Sequence, residues 1–166
     1  MEISTVSFDH PDAMKLIADV QQVYVLRYGD PDITPVDPSE FSPPQGLFLV
    51  GYLDGVPVAC GGWRAHDGPT PEFCRGDAEM KRLYVTQDAR GNGYAREMLA
   101  AVERTAREAG RLRMVLETGT RQPEAIALYR SAGYATIPNF GVYRCSPLSV
   151  CFAKSLCLMR KSGYAR

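Results

Sequence analysis

No stretch of this chain stays apolar long enough to cross a bilayer as a helix, because charged or turn-forming residues interrupt every hydrophobic run far short of the roughly 20 residues required. The acidic start Met1-Glu2 is unlike the basic opening of a secretory signal. An excess of either charge is also missing: nineteen Lys and Arg residues meet nineteen Asp and Glu. That balance excludes a mainly electrostatic grip on nucleic acid or on an anionic membrane. The five cysteines are odd in number and lack metal-ligand spacing, which excludes a closed disulfide framework and gives no metal site. A reducing, cytoplasmic compartment is the expected setting. Internal repeats and linkers are absent too, and 166 residues suit one domain that buries roughly 70% of its unfolded surface. We expect a domain over 1–157 and a flexible basic tail over 158–166.

What the chain does contain is one strongly patterned stretch, Glu79 to Ala109. It predicts a strand, a glycine-rich turn, and a long helix with Ala95, Met98, Leu99, Val102, Ala106 and Ala109 on one face. The turn is Arg90-Gly91-Asn92-Gly93-Tyr94-Ala95. It sets two glycines at a helix N-terminus, where unpartnered N–H groups and the positive end of the helix dipole favour phosphate oxygens. Glycine lets a ligand approach the backbone and accepts positive φ. A dinucleotide fingerprint is excluded because position 96 is Arg96, and a Walker loop because Gly-Lys-Ser/Thr is missing.

Around this stretch, Ile3 to Phe8 reads as a short strand. Ala13, Leu16, Ile17, Val20, Val23 and Tyr24 define a helix face ending near Gly29. Five prolines between Asp30 and Gln45 predict a loop with at most one short helix. Leu47–Leu53 and Val56–Trp63, joined by Asp54-Gly55, predict a tight hairpin, with a bulge at Gly61-Gly62. His66 falls in the following loop without a visible partner and reads as solvated. In the strand from Glu79 to Thr86, Leu83 and Val85 share a parity that Met80 breaks, so a bulge is expected between them. Met114 to Glu117 predicts a strand and Pro123-Glu124 opens a short helix. Tyr134–Ile137, Phe140–Arg144 and Ser149–Lys154 are read as closing strands. Phe140, Tyr143, Cys145 and Cys151 either line a pocket or fill the core.

Arg90-Gly91-Asn92-Gly93-Tyr94-Ala95 resembles the Arg/Gln-x-x-Gly-x-Gly/Ala signature of the GNAT superfamily of acyl-CoA-dependent N-acetyltransferases. Ala125-Ile126-Ala127-Leu128-Tyr129, followed by Ala132-Gly133-Tyr134, is similar to that family's second block. The likeness is specific from about Glu79 to Tyr134. It implies a single α/β domain, a central mixed sheet flanked by helices, with a splayed parallel strand pair forming an acyl-CoA cleft.

By the same resemblance the cofactor is acetyl-CoA, used as a co-substrate. Its pantetheine arm pairs with the backbone of Leu83 and Val85, and its pyrophosphate meets Arg90, Gly91, Asn92, Gly93, Tyr94 and Ala95. Gln122 stands where the family commonly has an asparagine that touches the cofactor. Glu79 is the expected base, with a structural ion pair to Lys81, Arg82 or Arg113 as the alternative. The N–H of Val85 is the expected oxyanion donor. Tyr129 is the expected acid for the thiolate, the alternative being a core phenol bonded to a carbonyl. Arg27, Tyr28, Glu79, Phe140 and Tyr143 form the expected acceptor site. The implied reaction is acetyl transfer to the amine of a small molecule by a monomer or homodimer. A non-catalytic acyl-CoA sensor, another acyl donor and a protein amine remain open.

Overall fold

The computed structural model describes residues 1–68 and 70–157, so the expected tail over 158–166 lies outside the described residues. Among the described residues seven strands form one mixed sheet in the order β1-β2-β3-β4-β5-β7-β6. In chain order these are β1 (Glu2–Val6), β2 (Gly46–Leu53), β3 (Val56–His66), β4 (Asp77–Val85), β5 (Arg113–Gly119), β6 (Ala135–Ile137) and β7 (Ser149–Ser155). Three helices cover it: α1 (Pro11–Tyr28), α2 (Tyr94–Glu108) and α3 (Pro123–Ser131). All neighbours are antiparallel except β4 and β5.

Local chemistry explains the elements that position the cleft. Pro11 stands in the first turn of α1, His10 accepts from the N–H of Asp12, and Gly29 ends the helix in the left-handed region. The buried residues Ala13, Leu16, Ile17 and Val20 set that helix against one side of the sheet, over Phe8, Phe41 and Phe48. Helix α2 buries Met98, Leu99, Val102 and Ala106 against the other side, in the larger core with Met80, Met114 and Leu116. The apolar stripe read from the sequence is thus its buried face, except that Ala109 lies just past the helix as its C-cap. The proline-rich segment carries one 3-10 turn, Pro38–Phe41, whose Phe41 plugs the first core.

Two expectations are corrected. Phe140–Arg144 is not a strand: residues 141–145 turn, because Gly141 adopts φ 72 and cannot continue an extended chain. His66 ends β3 instead of lying in a loop, and it is not solvated. Its ring stacks on Phe73 at 3.7 Å and its Nε2 lies 2.9 Å from Glu79 Oε2.

Candidate active site

Strands β4 and β5 are partners only through Asp77↔Arg113, Ala78↔Met114 and Glu79↔Val115. Beyond Glu79 they part. The cause is a bulge in β4, where the register on β3 slips between Gly62↔Lys81 and Cys60↔Tyr84 and Arg82 takes φ 59. After the bulge, Thr86 donates its N–H to Val58 on the β3 side at 2.8 Å. Backbone groups alternate along a strand, so those of Leu83 and Val85 turn to the opening instead. Val85 O also accepts from Arg90 Nε at 3.1 Å.

The glycine turn sits at the end of this opening. Gly91 and Gly93 both lie in the left-handed region, at φ 80 and 81, and a Cβ on either would project into open space. The backbone N–H groups from Gly91 to Ala95 donate to no backbone carbonyl among the described residues. Five free donors around two bare glycines at a helix N-terminus fit a pyrophosphate, and a methyl group at either glycine would occupy the approach.

Inside the gap lies a cavity of about 260 Å³. Leu83, Leu116, Gln122 and Tyr129 line it toward α2 and α3, and Tyr28, Arg82, Glu117 and Tyr143 line it elsewhere. A second cavity of about 460 Å³, lined by Arg64, His66, Glu79 and Phe140 among others, shares Lys81 and Glu117 with the first. Glu117 therefore stands where the two spaces meet.

Two carboxylates on this face have opposite environments. Glu79 is only 2% exposed. Its Oε2 takes Arg64 Nε at 2.8 Å and His66 Nε2 at 2.9 Å, and its Oε1 takes Lys81 Nζ at 2.9 Å. An ionised carboxylate only accepts, so His66 carries its proton on Nε2. Burial works against the charge, but the His66 hydrogen bond and the Lys81 and Arg64 cations outweigh it and hold the Glu79 carboxyl well below the usual range. Such a group is a weak base with its lone pairs already engaged. Of the ion-pair partners expected for Glu79, Lys81 is present, joined by Arg64, while Arg82 and Arg113 pair with Asp32 and Asp77.

Glu117 is different. Burial pushes its carboxyl above the usual range, with Asp32 and Glu79 adding to the shift and the Ser149 hydroxyl and Lys81 opposing it. Ser149 Oγ donates to Oε1 at 2.8 Å, and no cation among the described residues comes within ion-pair distance of it. Sequence reasoning placed Glu117 in its strand and gave it no role. The signal was present as a single charge following Met114-Val115-Leu116, on the same parity as Val115.

The other expected site residues divide. Tyr129 packs against Tyr134 and Phe152 with ring centroids 5.7 and 6.0 Å away. Burial, with no hydrogen bond to offset it, raises its hydroxyl and keeps it protonated. Gln122 caps α3 without a side-chain hydrogen bond to the helix and reaches Tyr28 Oη at 3.5 Å. Tyr28 also accepts from the N–H of Arg121 at 3.1 Å, and its ring approaches so close that a Cβ at Gly119 would collide with it. Tyr143 accepts from the N–H of Ile33 at 2.9 Å, joining two loops over the cavity. Arg27 is not brought to the site: it pairs with Glu124, donates to Arg121 O at 2.8 Å, and lines neither cavity. Phe140 and Cys151 belong to a small core with Val115, although Phe140 also lines the second cavity, and Cys145 is exposed.

The arrangement matches known proteins. The family model described as the Acetyltransferase (GNAT) family covers residues 15–134. An IAA acetyltransferase of Azospirillum brasilense is 36% identical over 121 residues, which span 73% of this chain and 75% of that protein. An uncharacterized N-acetyltransferase of Escherichia coli, YjgM, is 30% identical over 78% of each chain. A crystal structure of a Klebsiella pneumoniae protein superposes with a TM-score of 0.74 at 30% identity, covering 94% of this chain and 97% of that one. An aminoglycoside 6'-N-acetyltransferase complexed with coenzyme A shares the fold, with a TM-score of 0.66 at 15% identity over 95% and 98% of the chains.

Proposed function

The chain belongs to the GNAT acetyltransferase family, and from that premise we propose that it moves the acetyl group of acetyl-CoA directly to the amine of a small molecule. The observation that carries this reading is the parting of β4 and β5 just beyond Glu79↔Val115, with Tyr129 and Glu117 both lining the space it opens. Support for the cofactor comes from the bare glycines and free N–H groups of the turn and from the coenzyme A held by a protein of the same fold. Five free cysteines suit a reducing, cytoplasmic setting.

When bound, acetyl-CoA supplies an acetyl thioester, an acyl donor with a good leaving group. The protein supplies the rest. The N–H groups of Gly91 to Ala95 hold the pyrophosphate, and the outward backbone of Leu83 and Val85 aligns the pantetheine arm as an added strand would be aligned. An aliphatic amine with a pKa of about 10 is neutral only to about one part in a thousand at pH 7, so its proton must be removed. Glu117 does this, directly or through a water. Its raised affinity for protons suits it to the task, whereas the cation-bound Glu79 fixes the wall behind it. Val85 N–H offers a hydrogen bond to the thioester oxygen as negative charge builds there. As the amide forms and the C–S bond breaks, Tyr129 gives its proton to the sulfur and takes up the second proton that the nitrogen sheds.

A thiol-release assay with acetyl-CoA and a broad panel of amines tests this function. Release that depends on both reactants is expected. Failure of every amine to release thiol from a protein that binds acetyl-CoA would refute the transferase reading.

A further inference from the structure

Arg82 is an unusual arginine. It is 7% exposed, it lines the cavity of the gap, and it sits at the β4 bulge with a left-handed φ of 59 that disfavours any residue with a side chain. The bulge inserts one residue into the strand, and as a result two consecutive cations, Lys81 and Arg82, both line that cavity. Cys60 Sγ, 3.2 Å from Arg82 O, holds the bulged backbone in place.

The guanidinium is only partly used. Nη1 pairs with Asp32 on the proline-rich loop. Nε is buried without an acceptor among the described residues. Arg113 shows what this edge can hold: its Nε and Nη2 meet both oxygens of Asp77, with Nε at 2.8 Å from Oδ1. In Arg82 that same two-pronged edge has no carboxylate on it. A buried, charged donor left without an acceptor costs stability, and the edge has the geometry that matches two carboxylate oxygens. The same cavity contains Glu117, a carboxylate with no ion-pair partner among the described residues.

We propose that the acceptor is an amino acid or a similar zwitterion, whose carboxylate is received by the Nε–Nη2 edge of Arg82 while its amine is received by Glu117. The inference rests on the acyl-transfer reading and narrows it to a substrate class. Asp32 keeps Arg82 aimed by holding Nη1, and it leaves the second edge for the substrate. Lys81 does not compete for the carboxylate, because Glu79 already occupies its ammonium at 2.9 Å.

The test uses the whole protein saturated with coenzyme A and measures binding by calorimetry for matched pairs: glycine against methylamine, alanine against ethylamine, phenylalanine against phenethylamine. At least one carboxylate-bearing member should bind about 10–100-fold more tightly than its partner, the range expected for charge-assisted hydrogen bonds. Arg82→Lys keeps the charge and loses the fork, so it should erase the preference while acetyl-CoA affinity stays unchanged. The proposal is overturned if the decarboxylated amines bind equally well or better throughout. It is overturned equally if a folded Arg82→Lys variant keeps the preference. Binding of the acids without thiol release from acetyl-CoA would leave this subsite standing and sink the transferase reading instead.

Discussion

Glu117 lies one pleat beyond Val115, the residue paired with Glu79 across the parallel strands, so the two carboxylates share a face of the sheet but not an environment. Glu79 is clasped by Arg64, His66 and Lys81. Glu117 has one hydroxyl, from Ser149, and two cavities in front of it. Its partners hold the Glu79 carboxyl below the usual range, while burial raises that of Glu117.

Glu79→Gln should therefore act on stability. Removing one member of a buried ion network costs about 3–5 kcal/mol, a fall on the order of 10 °C in Tm for a domain of this size. The sign of the pH dependence follows from the lowered carboxyl of Glu79. Its stabilising contribution is complete above the unfolded value of about 4.3 and is lost as pH falls through and below it. Denaturant titrations from pH 7 to pH 3 should show a shallower acid loss in the variant than in the parent. An unchanged Tm and acid slope would mean that the network contributes nothing.

Tyr129→Phe should keep the fold, because the ring contacts with Tyr134 and Phe152 remain. A thiol with a pKa of roughly 8.5 leaves with little help, so kcat should fall by about 10–10³, at or below the usual range for a positioned acid. Steady-state kinetics at saturating acetyl-CoA measure it. A full kcat would make Tyr129 a packing residue.

Acetyl-CoA should stabilise the native state by about 2.7 kcal/mol at a hundredfold excess over Kd. Gly93→Ala separates the cradle from backbone strain when compared with Gly110→Ala, since both glycines are left-handed, at φ 81 and 80, with open space around them. Each substitution should cost about 1–2 kcal/mol of stability. Only Gly93→Ala should also weaken acetyl-CoA binding in a titration. Equal affinity in the two variants would place the pyrophosphate somewhere else.

Much of this molecule was legible in the sequence wherever local chemistry decides the outcome. The α2 stripe, the Asp54-Gly55 hairpin and the left-handed glycines at 91 and 93 all follow from spacing and turn preference. Even the β4 bulge showed in the broken parity between Met80 and Leu83. Long-range relations were not legible. His66 meets Glu79 only because β3 and β4 align Arg64 with Glu79. Arg27 was expected at the acceptor wall, yet Glu124 at the start of α3 holds it outside. The lone charge at Glu117 was visible, but its surroundings depend on residues of β4, β7 and the proline-rich loop. Gly141 in its left-handed turn defeated a strand pattern that Phe140 to Arg144 otherwise fit.

The most direct measurement of the central claim is the pH profile of kcat/KM for acetyl transfer in the parent, Glu117→Gln and Glu79→Gln. The parent should lose activity on the acid side at a pKa above the usual carboxylate value of about 4.3. Glu117→Gln should lower the rate by about 10²–10⁴ near neutrality, abolish that limb, and recover as rising pH deprotonates the amine unaided. Its stability should not fall, because a carboxyl whose protons bind more tightly in the folded state works against folding once pH exceeds the unfolded value. Glu79→Gln, studied at a temperature where it is folded, should keep the limb. A Glu117→Gln variant with the parent's rate and profile, beside a Glu79→Gln variant that has lost both, would contradict the account.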